Sequence, residues 1–524
     1  MKISLLILLC LMYFFKFSNG ARLLGIFAMP GNSHYILAEK LMKGFAAAGH
    51  NVTMISPYPT KGVPKNASWE DVVLEGLDEV YREKLKEINL YEDSTRSSWK
   101  RIISYQKLML HWVNATLYHP KVRALLTPEN KFDAVIMEQF LNDAHKYFAH
   151  YFQCHLILMS SMGPVSWVNN IATNPLPPSY VAHFFNNGEF SANKFWHRFF
   201  NLFDYISDNL VEYFYLRPLQ NDLLQKAFPG APTVEELNER TALIFLSSHM
   251  SLLEAVPLVP SMVEIGGYFI DPPKKLPKDL QQFLDNATEG VIYFSMGSNI
   301  KSRDMPMEKR QMLFNVFTKL KQKVLWKFED ENVTGMPDNA LVKSWMPQQD
   351  ILAHPNVKLF ITHGGFLSTT ETIYHGVPVL AIPVFADQFM NAKKAVQYGY
   401  GLMLPYHDNQ NFNEETLIRL LQELLNNPIY QENAKRRSRI FHDRPIKPMA
   451  NAVYWLEYVL KHDGAEHLKV AGRKLPFYQY LILDVVGVIL VVIMLILFVG
   501  KVILFNKMFS DIKPPKEINK LKLG

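Results

Sequence analysis

Short, wholly apolar runs alternate along this chain with longer stretches in which apolar residues recur every three or four positions. Leu23–Met29 is the first such run, and Pro30-Gly31-Asn32-Ser33-His34 follows it as a turn. Tyr35 to Ala48 then carries the spacing of an amphipathic helix, ended by Gly49, and Asn51–Ser56 reads as the next strand. Apolar strand, glycine turn, helix and second strand make a βαβ unit, whose parallel strands are buried on both faces and need no polar alternation. Phe132–Met137 and Leu156–Ser160 predict further strands of the same sheet.

The alternation restarts at Gly290. Val291–Phe294 reads as a strand, Ser295–Asn299 as a turn, Pro306–Lys321 as a helix and Val324–Phe328 as a strand, with Lys358–Thr362 and Val377–Pro383 continuing the series. Between the halves lies Asp271-Pro272-Pro273-Lys274-Lys275-Leu276-Pro277, polar and proline-rich like a linker. The pattern predicts an α/β chain of two Rossmann-like, doubly wound domains facing a cleft, with ligands beyond the carboxyl ends of the strands. The expected boundaries are 21–270 and 271–445.

Two segments depart from this rhythm. Met1-Lys2, an apolar run from Ile3 to Phe15 and small residues before Ala21 describe a secretory signal over residues 1–20. Val485 to Gly500 is uncharged throughout, and Tyr478–Leu483 extends it past Asp484. A bilayer needs about 20 helical residues, so 476–505 is expected to span one, with 506–524 as a cytoplasmic tail. The body between signal and span would then be lumenal. Asn51, Asn66, Asn114, Asn286 and Asn332 head Asn-X-Ser/Thr triplets; Asn51 starts a strand and is expected to be too buried for modification. A third departure, Tyr180 to Tyr215, is crowded with aromatics. Its spacing suits ordinary core helices as well as an acceptor-pocket wall or a membrane-dipping surface.

Composition narrows the class. With 524 residues, 48% apolar and 20% charged, the chain can bury two large cores and is neither disordered nor fibrous. The net charge of +6 comes without a dense basic block, which argues against nucleic acid as a partner. Cys10 and Cys154 are the only cysteines, so removal of the signal leaves one thiol and no internal disulfide.

The candidate chemistry concentrates where a strand ends at Thr362-His363-Gly364-Gly365 and a helix opens at Phe366-Leu367-Ser368-Thr369-Thr370-Glu371. Free amides and the helix dipole favour a diphosphate there, and the glycines admit it closely. Glu371 suits ribose hydroxyls, while Trp345 and Gln348 upstream offer a stacking face and an amide. His34, beside the first strand, suits a general base. No Asp-x-Asp signature adjoins a strand, and Glu329-Asp330-Glu331 reads as a solvated loop, so no metal or other cofactor is expected.

Trp345-Met346-Pro347-Gln348, then His363-Gly364-Gly365 through Ser368 and Glu371, then Gly376-Val377-Pro378 and Asp387-Gln388 together resemble the signature of the UDP-glycosyltransferase family. The likeness runs over almost the whole chain, and the Glu138-Gln139-Phe140 and Leu367–Glu371 wording resembles insect members. It implies the GT-B fold, an acceptor-binding N-terminal half, a donor-binding C-terminal half, and a helical return over 446–475. By position, Trp345 would stack on uracil and Gln348 would meet the uridine. Ser295, Gly297, Ser298, His363, Gly365, Ser368 and Thr369 would surround the diphosphate. Glu371 would hold ribose, and Asp387 and Gln388 the sugar. Leu367 departs from the pattern, since many relatives have Asn there. His34 would be the base and Glu138, where many relatives carry Asp, its orienting carboxylate, with Asp143 as the local alternative and Asp133 structural. The implied reaction is an inverting transfer of a hexose, glucose before glucuronate, from a UDP-sugar to a small lipophilic acceptor, in detoxification or hormone conjugation. Lys520 and Lys522 resemble a dilysine retrieval signal of endoplasmic-reticulum membrane proteins, and a homo- or hetero-oligomer is a possible state. A catalytically silent lipophile-binding protein and a lipid-glycan transferase are the competing readings.

Overall fold

The computed structural model describes residues 20–87, 98–184, 190–330 and 333–510. The expected signal up to Asn19, the Asn332 sequon and the Lys520/Lys522 tail lie outside them. The chain divides into two compact units after Lys469.

The first unit contains two parallel sheets. Strands β1 (Arg22–Ile26), β2 (Asn51–Ser56), β3 (Trp69–Val73), β4 (Ala134–Glu138), β5 (His155–Ser160), β6 (Thr241–Leu246) and β7 (Met262–Glu264) lie in the order β3-β2-β1-β4-β5-β6-β7. Strands β8 (Val291–Ser295), β9 (Lys323–Lys327), β10 (Ala340–Lys343), β11 (Val357–Thr362), β12 (Val379–Ala381) and β13 (Gly401–Met403) lie in the order β10-β9-β8-β11-β12-β13. Alternate residues of each strand feed opposite faces: Leu24 and Ile26 join one core cluster of the first sheet, Leu23 and Phe27 the other. Each sheet reverses its order beside its first strand. There β1 pairs with β2 and β4, and β8 with β9 and β11. Connections leave to opposite faces at such a point, which opens a crevice at the carboxyl ends.

Seven helices matter below. They are α1 (Asn32–Ala47), α2 (Ser98–Tyr118), α3 (Phe195–Val211), α4 (Phe366–His375), α5 (Gln388–Gln397), α6 (Pro448–Lys461) and α7 (Leu483–Ser510). Helix α1 buries Leu37, Leu41 and Phe45 on the first sheet. Helix α6, which follows the second sheet in the chain, returns to that same cluster with Ala452, Leu456 and Val459. The polar 271–277 stretch carries no regular structure, and its Asp271 carboxylate accepts from Lys40 at 2.6 Å.

Three local expectations change. Helix α1 starts at Asn32, not Tyr35, because Gly31 is extended and serves as its N-cap; His34 therefore sits in the first helical turn. Ordinary core packing does not describe α3, which buries Asn201 and Tyr205 and exposes Phe195, Trp196, Phe199, Phe200 and Phe203. In the second unit, the long apolar helix begins at Leu483, after Ile482 takes a left-handed φ of 51°. Residues Leu483–Phe509 are long and apolar enough to cross a membrane. The sequons Asn66, Asn114 and Asn286 are exposed.

Candidate active site

The N-terminal half of the site is built by β1 and β4 at the reversal of the first sheet. His34 follows β1 on α1, Glu138 is the last residue of β4, and the His34 Nδ1–Glu138 Oε1 distance is 2.6 Å. Gly31 makes room for this pair, because a Cβ there would stand 2.9 Å from His34 Cδ2. Burial lowers the His34 pKa, but the Glu138 charge, its hydrogen bond and the more distant Asp387 charge outweigh it and hold the imidazole above 6.5. The longer carboxylate at 138 therefore reaches the histidine. Asp143 is engaged elsewhere, in an ion pair with the fully buried Lys146 and a 3.0 Å bond from Gln139. Asp133 accepts from the Arg22 amide at 2.7 Å, at the far end of β1.

The second half occupies the reversal of the other sheet. β8 ends at Ser295 and leads into Gly297 and Ser298, while β11 leads into His363 and the start of α4. The His363 ring lies against two glycines: a Cβ on Gly297 would approach its Cε1 to 2.6 Å, and one on Gly365 its Nε2 to 2.5 Å. Neither position admits a side chain without displacing the ring. Burial, aided by the Lys327 charge, pushes His363 down to about 4, so it is neutral, and its Nδ1 has no hydrogen-bond partner among the described residues. Helix α4 has no side-chain N-cap. Its Phe366 amide donates to Asp387 Oδ2 at 3.0 Å, and the next two amides have no carbonyl partner within the helix.

Both halves border one cavity of about 530 Å³. Met29, His34, Leu108, Phe140, Met162 and Trp167 face it from the first half; Ser295, Gly297, Ser298, Trp345, Gln348, His363, Gly365, Ser368, Glu371, Asp387 and Gln388 from the second. Trp345 is 62% exposed, with Lys327 Nζ 6.0 Å from its ring centre. Glu371 is a bracing point: Gln348 and Gln349 both donate to it, the latter at 3.0 Å. Burial nonetheless lifts its carboxyl to about 7, against those two amides. Burial also lifts Asp387 to about 6, opposed by Asn391, nearby amides and His34. The carboxamide oxygen of Gln388 accepts from the Val384 and Phe385 amides at 2.8 and 3.1 Å, so it shapes the loop as well as bordering the cavity.

Thr369 is the exception. Its hydroxyl donates to the Gly364 carbonyl at 3.4 Å and it does not border the cavity, because one residue beyond Ser368 turns the side chain by about 100°. Leu367 borders the cavity and packs against the core of the first sheet. The aromatic-rich stretch supplies Phe184, Asp208 and Glu212 to the wall, and Leu216 just beyond it joins them.

Sequence reasoning missed Lys327. It closes β9, is 7% exposed, donates to the Gly297 carbonyl at 2.9 Å and pairs with Glu329 at 2.8 Å, and it borders the cavity. A lysine at the carboxyl end of a parallel strand was the available signal. Asn391 and Gln349 were missed too; their roles, holding Asp387 and Glu371, show only in three dimensions.

Residues 26–513 match the family described as UDP-glucoronosyl and UDP-glucosyl transferase. UDP-glycosyltransferase UGT5 of Dactylopius coccus is 34% identical over 97% of this chain and 98% of its own length. UDP-glucuronosyltransferase 2B15 of Homo sapiens is 29% identical over 89% and 90%. Among solved structures, the calicheamicin glycosyltransferase CalG4 superposes with a TM-score of 0.56 at 17% identity, covering 84% of this chain and 98% of that one. A UDP-glucosyltransferase from Polygonum tinctorium gives 0.57 at 15% identity, over 84% and 99%. Such distant structural likeness speaks for the fold, and the sequence match carries the family. With two opposed parallel sheets sharing one cavity, and a match along nearly its full length, the chain belongs to the UDP-glycosyltransferase family and is a GT-B enzyme that transfers a glycosyl group from a UDP-sugar.

Proposed function

We propose that this enzyme moves a hexose, glucose by preference, from a UDP-sugar to a hydroxyl of a small lipophilic acceptor, with inversion, as a detoxifying or hormone-conjugating transferase. The observation that carries this reading is the 2.6 Å His34–Glu138 pair bordering the same cavity as the α4 amino terminus. His34 Nε2 takes the acceptor proton as the oxygen forms its bond to the anomeric carbon. The bond from that carbon to the β-phosphate oxygen breaks on the opposite face, and UDP leaves with the electron pair. The negative charge of Glu138 steadies the imidazolium that forms. The free α4 amides, His363 and the Lys327 ammonium lie where the departing diphosphate gathers charge, which is the task a divalent ion performs elsewhere. Trp345 stacks on uracil, Glu371 accepts from ribose, and Asp387 with Gln388 holds the sugar. Apolar walls of Leu108, Met162, Trp167 and Phe184 support a lipophilic acceptor.

On the same reading α7 anchors the enzyme in the endoplasmic-reticulum membrane, with the glycosylated body in the lumen and the lysine tail outside. The exposed Asn66, Asn114 and Asn286 support it. Microsomes assayed with a panel of UDP-sugars and a simple phenol test the whole. Donor-dependent glycoside is expected, with near-complete loss in His34→Ala and unchanged UDP binding. Equal turnover by that variant refutes the base assignment.

A further inference from the structure

A second, small cavity of about 10 Å³ adjoins Glu138. Its walls include Trp112 and Val113 of α2, Phe140, Asn142 and His145, and its size suits a single water. A void this small stays dry when apolar, but here two of the lining residues carry buried polar atoms. Trp112 Nε1 and His145 Nε2 make no hydrogen bond of good geometry among the described residues, although the Val113 carbonyl draws on the imidazole, and both residues are 1% exposed. An unmet buried donor carries its full desolvation cost, so two on residues lining one cavity call for a shared acceptor.

The hydrogen positions follow from the neighbours. Asn142 Oδ1 accepts from the Phe140 amide at 2.8 Å, which turns Asn142 Nδ2 toward His145 Nδ1 at 3.3 Å. His145 Nδ1 is thus an acceptor, and the ring proton sits on Nε2. Burial drives this imidazole to about 4, against the pull of the Val113 carbonyl and Asp143, so it stays neutral. Two residues that carry N–H donors and one that carries a carboxylate then line a space for one water. Glu138 Oε1 is taken by His34, and Oε2 is left.

We propose that this cavity is a water site that fixes the orienting carboxylate: the water accepts from Trp112 Nε1–H and His145 Nε2–H and donates to Glu138 Oε2. Trp112 and His145 are positioning residues for the general base. They touch no substrate and act through the water on Glu138, and through Glu138 on His34. Donation to the carboxylate fixes its rotamer and shares the charge that His34 Nδ1 meets. Removal of the donors leaves that charge undivided and makes the protonated His34 more stable.

This inference rests on the proposed roles of His34 and Glu138, and the test separates the two. The full-length enzyme in microsomes is assayed as wild type, Trp112→Phe, His145→Leu, His145→Gln and His34→Ala. Trp112→Phe and His145→Leu should each lower kcat roughly tenfold, leave KM for the UDP-sugar unchanged, and move the acid limb of kcat/KM to higher pH. His145→Gln, which keeps an N–H, should recover most of the loss. Unchanged kcat and an unmoved limb in both Trp112→Phe and His145→Leu, with His34→Ala inactive, overturn the water site alone. An active His34→Ala overturns the base assignment beneath it. Should Trp112→Phe lose UDP binding through misfolding, the Leu and Gln variants at 145 decide by the same criteria.

Discussion

Glu138→Gln is the most exacting perturbation of the proposed chemistry, because it removes one charge and almost no volume. The Glu138 side chain is 3% exposed and that of His34 18%, and they meet at 2.6 Å. Glutamine can still accept from Nδ1, so geometry survives and the counter-charge does not. A unit charge about 4 Å away is worth about 4 kcal/mol at an effective dielectric of about 20. A hydrogen bond to a charged group contributes about 1.5–3 kcal/mol. A loss of about 2–4 kcal/mol of transition-state stabilisation lowers kcat about 30- to 1,000-fold. The pH dependence carries a second signature. Burial is the largest influence on His34, and it acts downward; Glu138 reverses it. Without the carboxylate the imidazole loses its proton at lower pH, so the acid limb of kcat/KM moves down while the plateau falls. The assay is initial-rate kinetics across pH with saturating phenol, alongside calorimetric UDP binding, which should hold within about twofold. A variant with kcat within about threefold of wild type and an unmoved limb would show that Glu138 does not act through His34.

Four further outcomes follow from the same geometry. Gly365→Ala should weaken UDP binding at least about tenfold by calorimetry with little change in melting temperature, because φ is −61° there and only the 2.5 Å approach to His363 forbids a Cβ. UDP affinity should fall as pH drops below about 7, where the Glu371 carboxyl takes up its proton and becomes a weaker acceptor for ribose; a flat profile from pH 6 to 8 contradicts the ribose assignment. Asp143→Asn should destabilise by about 3–5 kcal/mol in denaturant melts, since it leaves the buried Lys146 without its counter-charge, while the folded fraction keeps its kcat. Phe199→Ser should shift stability by less than about 0.5 kcal/mol, because the ring is 48% exposed; a large loss would return α3 to the core.

Much of the fold is legible because parallel strands buried on both faces leave unbroken apolar runs. β1, β4, β5, β8 and β11 announce themselves in this way. β7 and β13 are three residues long and edge strand β3 reads Trp-Glu-Asp-Val-Val, so neither length nor apolarity marks them; β12, equally short, lies within the apolar Val377–Pro383 run. Helix α3 misleads for a different reason. Its spacing shows two faces, but the apolar one is outward and the polar Asn201 inward, bonded to the carbonyls of Pro178 and Val181 at 2.7 Å. Periodicity reports that a helix has sides, not which side meets the protein.

The site divides along a similar line. The glycines, His363, Ser368 and Glu371 are legible because one strand–turn–helix passage holds them within nine residues of chain. Glu138 is preferred in the sequence only through the family resemblance, with Asp143 as the alternative; that Lys146 already engages Asp143 shows only in three dimensions. Least legible is the link from Asp387 to His34, each of which shifts the other's proton affinity although one belongs to the second sheet and the other to the first. That pull crosses from one sheet to the other, and no pattern within either half of the chain announces it.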